Sequence, residues 1–148
     1  MANITYDDIV PSRMSESLLR DLTDGTDTVD MEVVNDLIDR ASSFVNSYCV
    51  GLYSNKMPWN PVPDMIKELT LDIFEFRTNS RGPRNPDQSV VDTFNAARST
   101  LEKISMGKIK FLEPDTGVPV PENSIQHTNK TKADMKFHSD NIPGYFRT

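Results

Sequence analysis

The sequence predicts a mainly α-helical protein: a small bundle of three long helices, with one or two short helices before it and an extended C-terminal arm. Three stretches repeat apolar residues at spacings of three and four, the pattern of a helix with one buried stripe. Breaks rich in proline and glycine separate them at 51–63 and 81–86. At 148 residues the chain fits one domain. We therefore predict a helical body over residues 1–112 and an arm over residues 113–148.

Two short helices are predicted before the bundle. Residues 5–11 resemble a single helical turn, and residues 15–22 a second short helix. Asp24 and Gly25 then break the chain, and Asp30 is the expected cap of the first long helix. The apolar contacts of the second short helix are predicted to be Leu18, Leu19 and Leu22.

The three long helices follow in order. The first is predicted to begin at residue 30 and to stop at Gly51, a residue type that favours helix ends. The second runs from about Pro63 to Thr78, and the third from about Asp87 to Met106 with Gly107 as its left-handed stop. The side chains predicted to face the core are Val33 or Val34, Leu37, Ile38, Ala41, Phe44, Val45, Tyr48, Met65, Ile66, Leu69, Ile73, Phe76, Val90, Phe94, Ala97, Leu101 and Ile104.

Two single residues are assigned to packing rather than to chemistry. Trp59 lies in a loop with Pro58, Pro61 and Pro63; it can line a ligand groove, but packing of this loop on the bundle is favoured. Cys49 is the one cysteine, so the chain has no internal disulfide, and a single thiol does not define a zinc site. Its place on an apolar stripe predicts a small buried side chain.

The stretch from Glu113 to Thr148 shows no helical pattern. Residues 109–112 and 118–120 flank a turn sequence and can form a short hairpin. Apolar residues at 133–137 alternate with polar ones, the period of a strand that lacks a partner in this chain unless the hairpin provides it. Addition to another subunit is expected; a terminus without fixed structure is the alternative. The residues predicted to dock on a partner are Ala133, Met135, Phe137, Ile142, Tyr145 and Phe146.

The overall charge limits the functions that the chain can have. A formal net charge of -6 disfavours a nonspecific grip on nucleic acid, which needs clustered Lys and Arg, and it also disfavours an anionic membrane. The apolar runs are too short to span a bilayer. Residues 1–10 lack the basic start and apolar stretch of a signal peptide, so export is not expected.

The charge is distributed unevenly along the chain. Residues 1–48 hold ten acids and three bases, whereas residues 77–110 hold seven bases and three acids. If the two regions lie on opposite flanks, copies can associate head to tail, and such contacts close into a ring when the rotation permits. Pairing of the same charges within one subunit is the alternative. The candidate ring-interface residues are Asp24, Asp27, Asp36, Asp39, Arg77, Arg81, Arg84 and Arg98.

Catalytic and metal-binding patterns are weak in this sequence. A calcium loop with Gly25 at its sixth position would place Arg20 first and Met31 last, where carboxylates are required. His127 and His138, the two histidines, are separated by polar chain and do not indicate a metal pair. No glycine-rich phosphate loop or nucleophile motif is present. We predict no catalytic residue, no metal ion and no cofactor.

Several segments of the body, in order, resemble the Mu-like phage neck protein family, over roughly residues 4–112. The resemblance depends on element order and on punctuating residues, not on a catalytic signature. The matching segments are ITYDDI at 4–9, LTDG at 22–25, VD at 29–30, VNSYCVGLY at 45–53 and PVP at 61–63, followed by Ile66, Leu69, Leu71, Asp72, Ile73, Phe76, Phe94, Ala97 and Leu101.

This resemblance implies a non-enzymatic head-to-tail connector, an adaptor that forms a ring, often of twelve copies, beneath the portal vertex of a tailed phage. The implied partners are other copies of the chain, the portal protein and a tail or stopper protein of the neck, with DNA passing through without specific binding. The implied location is the virion neck, and the host cytoplasm during assembly. The alternative function is a cytoplasmic regulatory or protein-binding module whose tail folds on a client.

Overall fold

The computed structural model describes residues 2–81 and 85–110, together with residues 112, 119 and 121. These residues form a mainly helical protein, as predicted, and no strand occurs among them. Leu112 and Pro119 form one antiparallel bridge at the place of the predicted hairpin; the residues between them lie outside the described part. The helices are α1 (Tyr6–Ile9), α2 (Glu16–Leu22), α3 (Met31–Tyr53), α4 (Asp64–Asn79) and α5 (Gln88–Ser105), with a 3-10 turn at Ser54–Lys56.

Polar side chains cap the first helices. The backbone N–H of Thr5 donates to the Asp8 carboxylate at 2.8 Å at the start of α1, and Ser15 Oγ accepts from the backbone N–H of Leu18 at the start of α2. Asp30 accepts from two backbone N–H groups in the first turn of α3. The predicted cap at Asp30 is thereby confirmed, and it satisfies donors that have no partner within the helix.

Helices α3, α4 and α5 pack against one another in pairs around one core. Asn46 of α3 and Thr70 of α4 lie near each other, while Arg77 lies over Phe44, so α3 and α4 run antiparallel. The predicted apolar stripes account for most of the core. Its buried side chains from the three helices are Val34, Leu37, Ile38, Ala41, Val45, Cys49, Tyr53, Ile66, Leu69, Leu71, Ile73, Phe74, Ala97, Leu101 and Ile104.

Two of the residues predicted to face the core are exposed. Leu18 is 44% exposed, because the short helix α2 turns Leu19 inward instead. Met65 is 36% exposed, because the neighbouring Ile66 takes the inward position in the first turn of α4. In both places two adjacent apolar residues compete for one inward position, and residues next to each other on a helix point about 100° apart.

The predicted end of the first long helix at Gly51 is also wrong. Helix α3 continues through Gly51 to Tyr53, which is fully buried and lies 6.1 Å from Trp59 between ring centroids. Burial of a large aromatic side chain outweighs the roughly 1 kcal/mol by which glycine disfavours a helix interior. Pro63 lies just outside α4 as its N-cap residue. Gly107 has φ 69° after α5, as the sequence predicts.

A hydrogen-bonded polar cluster attaches the N-terminal segment to the bundle. The backbone N–H of Asn3 donates to Ser42 Oγ at 2.9 Å, and its side-chain Nδ2 donates to Asn46 Oδ1 at 3.1 Å and to Thr70 Oγ1 at 3.3 Å. Trp59 Nε1 also donates to Asn46 Oδ1, at 3.0 Å. Trp59 therefore packs on the bundle, as predicted, and the cluster fixes both the N-terminus and the loop between α3 and α4.

Ion pairs connect the region around α1 to the outer side of α4. Arg13 pairs with Glu68 and with Asp72, and Lys67 lies 3.7 Å from Asp8. Burial raises the pKa of the Asp72 carboxyl, and the positive charge of Arg13 offsets part of that effect. Within the described residues, no helix has the length and apolar character that crossing a membrane requires.

Candidate functional site: an aromatic and arginine face

Four half-buried aromatic side chains and one arginine form a continuous surface across the three long helices. Phe76 of α4 and Phe94 of α5 stack with 4.0 Å between ring centroids. Phe44 of α3 lies 6.4 Å from Phe94 and meets Tyr48 edge to face at 5.4 Å. The guanidinium carbon of Arg77 lies 5.4 Å from the centre of the Phe44 ring. We call these five residues the aromatic–arginine face.

The helices position this face directly. Phe44 and Tyr48 are four residues apart on α3 and so lie on the same side of that helix. Phe76 lies in the last turns of α4 and Phe94 in the first half of α5, and the packing of these two helices stacks their rings. The sequence predicts these phenylalanines to face the core. The structure places them at its edge, packed inward on one side and open to solvent on the other.

The composition of the face favours protein contacts. Aromatic residues and arginine are enriched at the centres of protein interfaces, where they contribute much of the binding energy. The rings already pack on one another, so little side-chain entropy would be lost when a partner covers them. The arrangement offers apolar area and one cation.

The arginines among the predicted ring-interface residues lie in different settings. Arg77 belongs to the aromatic–arginine face, where it contacts the Phe44 ring. Arg81 lies after the end of α4, 4.0 Å from the Asp24 carboxylate of the same chain. That contact is an ion pair within one subunit, which was the alternative to pairing between subunits. It contributes little to stability, because the Asp24 side chain is 90% exposed. Arg98 pairs with Glu102 one turn along α5.

The remaining charged candidates are exposed. Asp36 accepts from Arg40 one turn along α3, and Asp39 lies on the same outer side of that helix. Asp27 lines an open depression of about 320 Å³ that also includes Arg20. Arg84 lies outside the described residues. The structure therefore brings Asp24 and Arg81 together and leaves the role of these residues between subunits as a prediction.

The docking residues predicted in the arm lie outside the described residues, and so do both histidines. This applies to each residue assigned to the arm: Ala133, Met135, Phe137, Ile142, Tyr145 and Phe146. The division into a body at 1–112 and an arm at 113–148 is likewise a prediction that the structure does not test.

Burial, hydrogen bonds and neighbouring charges within the bundle shift the pKa values of a few titratable groups. Burial raises the pKa of the Cys49 thiol to about 12, so the thiol stays protonated at neutral pH and is a poor nucleophile. Burial would raise the pKa of Asp8, but hydrogen bonds from Thr5 and the charge of Lys67 lower it overall. No group of three or more metal-ligating side chains occurs among residues 2–81 and 85–110.

Sequence reasoning missed two features of the structure. One is the polar cluster around Asn3 and Asn46. Its signal in the sequence is an asparagine at the edge of an apolar stripe, followed by a loop in which prolines flank a tryptophan. The other is the exposure of Phe44, Phe76 and Phe94, which the periodic pattern cannot reveal. A stripe shows which side of a helix turns inward, but the depth of each residue depends on where the neighbouring helices cross.

The fold and the aromatic–arginine face together define a small helical-bundle protein with a surface suited to binding other proteins. The chain belongs to the bacteriophage Mu Gp36 family, whose model matches residues 4–129. It is therefore a Mu-like phage protein of the structural or morphogenesis class. A comparison with curated proteins found no match.

Proposed function

We propose that this protein is a non-enzymatic head-to-tail connector subunit. Copies form a ring of about twelve beneath the portal of a tailed phage, joining the portal to a tail or stopper protein and letting DNA pass. It acts in the virion neck after assembly in the host cytoplasm. The observation that carries the proposal is the family match over residues 4–129, which spans the whole described bundle.

The charge of the chain suits the passage of DNA. Each subunit carries a formal net charge of -6, and a ring of several subunits adds these negative charges together. Lys and Arg contacts to phosphates would add affinity and slow the DNA, so an acidic subunit favours release over retention. The exposed acids of α3, Glu32, Asp36 and Asp39, are candidates for the channel side.

The aromatic–arginine face is the candidate protein-binding surface of this connector. Three helices contribute to it, so it forms only when the bundle is folded, and it offers the residue types that contribute most to interface energies. The exposed acids and bases then set orientation and encounter rate more than affinity.

The mass of the assembly tests this proposal. We expect the full chain, mixed with the portal protein of the same phage, to add a closed assembly of about twelve times the 16.7 kDa subunit mass. Native mass spectrometry and electron microscopy of the mixture measure this. A chain that stays monomeric or dimeric, and does not associate with the portal, contradicts the connector function and favours a regulatory module that binds another client.

Removal of the end of the arm provides a second test. Deletion of residues 142–148 is expected to leave helix content and thermal stability unchanged while attachment to the partner is lost. Circular dichroism measures the first, and the native mass of the chain alone and in mixture with the portal protein measures the second. Loss of stability on deletion would show that these residues belong to the core of their own subunit.

A further inference from the structure

The aromatic–arginine face presents apolar and cationic groups that the described residues leave only half covered. Phe44, Tyr48, Phe76 and Phe94 are all of intermediate exposure, although the rings of Phe76 and Phe94 stack closely. In the described part of the chain, Arg77 contacts the Phe44 ring and forms no ion pair. A partner for this face should therefore supply large apolar side chains and a carboxylate.

The stretch from residue 131 to residue 148 has that composition. It carries Met135, Phe137, Tyr145 and Phe146, and Asp140 lies between the first and second aromatic groups. Its three bases and two acids nearly cancel, so overall charge neither drives nor opposes docking. Aromatic side chains pair edge to face or offset-stacked, geometries that the rings of the face already use among themselves.

The length of the arm permits docking on a neighbouring copy. Phe94 precedes the end of α5 by eleven residues, about 17 Å along the helix, and residues 107–137 span up to about 100 Å when extended. This reach exceeds the roughly 30 Å diameter of a small domain, so the arm is long enough to extend to an adjoining copy. Because neighbouring copies in a ring are held together, the arm would meet the face of the next copy at a high effective concentration, comparable to that of the face on its own subunit.

We propose that residues 133–146 of one copy fill the aromatic–arginine face of the next copy. This inference depends on the proposed connector function and names the partner of its binding surface as a second copy of this chain. The contact is heterologous, since the arm and the face are different parts of the subunit, and repetition of such a contact around an axis closes a ring. Asp140 is the group that would pair with Arg77.

Cysteine cross-linking between co-expressed variants tests the contact. Ser47 is exposed on α3 beside Tyr48 and one turn from Phe44, and Ser139 adjoins Asp140. Full-length chains carrying Ser47→Cys with one tag and Ser139→Cys with another are co-expressed and mildly oxidised. The native Cys49 is fully buried and stays out of the reaction. We expect a disulfide-linked dimer that carries both tags, measured by intact mass without reductant.

Variants of the face identify the contact surface. Phe94→Ala in the Ser47→Cys chain is expected to lower the yield of the linked dimer by roughly tenfold or more, the loss typical of an aromatic hot spot. Thr93→Ala, an exposed neighbour on α5, is the matched control and should leave the yield unchanged. Equal yields in the two variants would overturn the proposal.

Docking within one subunit is a distinct outcome. The double variant Ser47→Cys with Ser139→Cys would then form a disulfide inside a monomer, and the mixed pair would not cross-link. That result, or no cross-link in any sample, overturns the inference. The native mass of the same samples separates the two proposals. A ring that forms without cross-links contradicts this inference but not the connector function. Absence of a ring even with the portal protein present contradicts the connector function as well.

Discussion

Asn46 Oδ1 accepts a hydrogen bond from Trp59 Nε1 at 3.0 Å, and this contact joins the first long helix to the loop that leads to the second. The same oxygen accepts from Asn3 Nδ2 at 3.1 Å. One amide oxygen thereby fixes two segments that have no regular structure of their own. Two donors that are far apart in sequence therefore depend on one acceptor.

Replacement of Asn46 should be costly when the acceptor is lost. Asn46→Ala leaves the donors of Trp59 and Asn3 with one partner fewer, and we expect a loss of about 1–3 kcal/mol in the free energy of unfolding. Asn46→Asp keeps the acceptor and should lose less. Ser47→Ala, at the exposed next position, is the control. Urea unfolding measures all three, and equal stability of Asn46→Ala and Ser47→Ala would contradict the role of the cluster.

Gly25 and Gly51 should respond to substitution in opposite directions. A Cβ on Gly25 would clash with the Thr28 carbonyl oxygen, so Gly25→Ala must displace the loop, at a cost of about 1–3 kcal/mol. Gly51 lies inside α3 with open space around its Cβ position. Gly51→Ala should therefore raise stability by about 0.5–1 kcal/mol. Thermal melts compare the two; destabilisation by Gly51→Ala would contradict an unbroken helix α3.

The buried thiol of Cys49 should make the protein less stable in alkali. The pKa of its thiol is raised by burial to about 12 in the folded protein, against 9.0 for an ordinary thiol. Above about pH 9 the folded state therefore keeps a proton that the unfolded chain releases. The contribution of this thiol to the free energy of unfolding is complete below about pH 9 and falls by up to about 1.4 kcal/mol for each pH unit above it. Urea unfolding at increasing pH measures this slope.

Cys49→Ala is the reference for that measurement, because tyrosines and lysines titrate in the same range. The difference in slope between the two proteins isolates the thiol. Labelling of the native protein with a thiol reagent should also be far slower than labelling in denaturant, since Cys49 is fully buried. Equal rates in the two conditions would show that the thiol is accessible.

The stack of Phe76 on Phe94 should show energetic coupling. We expect the double variant Phe76→Ala with Phe94→Ala to lose about 0.5–1.5 kcal/mol less than the sum of the two single losses. Unfolding free energies of the four proteins in the cycle measure the coupling. Thr93→Ala combined with Phe76→Ala is the matched control and should be additive; coupling of similar size there would assign the effect to general loosening of α5.

The sequence by itself determined the order and type of the elements. Apolar spacing of three and four marked three helices, Asp30 and Gly107 marked a beginning and an end, and Cys49 and Trp59 were assigned correctly to packing. These features are local, because a helix stripe, a cap and a left-handed stop each depend on residues within about two turns. Punctuating residues in order also indicated a Mu-like phage protein, which the match to the bacteriophage Mu Gp36 family supports.

Only the tertiary structure decided how far each apolar residue is buried and where α3 ends. Gly51 signals a stop locally, but burial of Tyr53 beyond it extends the helix. Phe44, Phe76 and Phe94 follow their stripes, yet the crossing of three helices leaves them at the edge as a joint surface. The physical reason is that burial is a sum of contacts between distant segments, whereas periodicity reports only the side of a helix that turns inward.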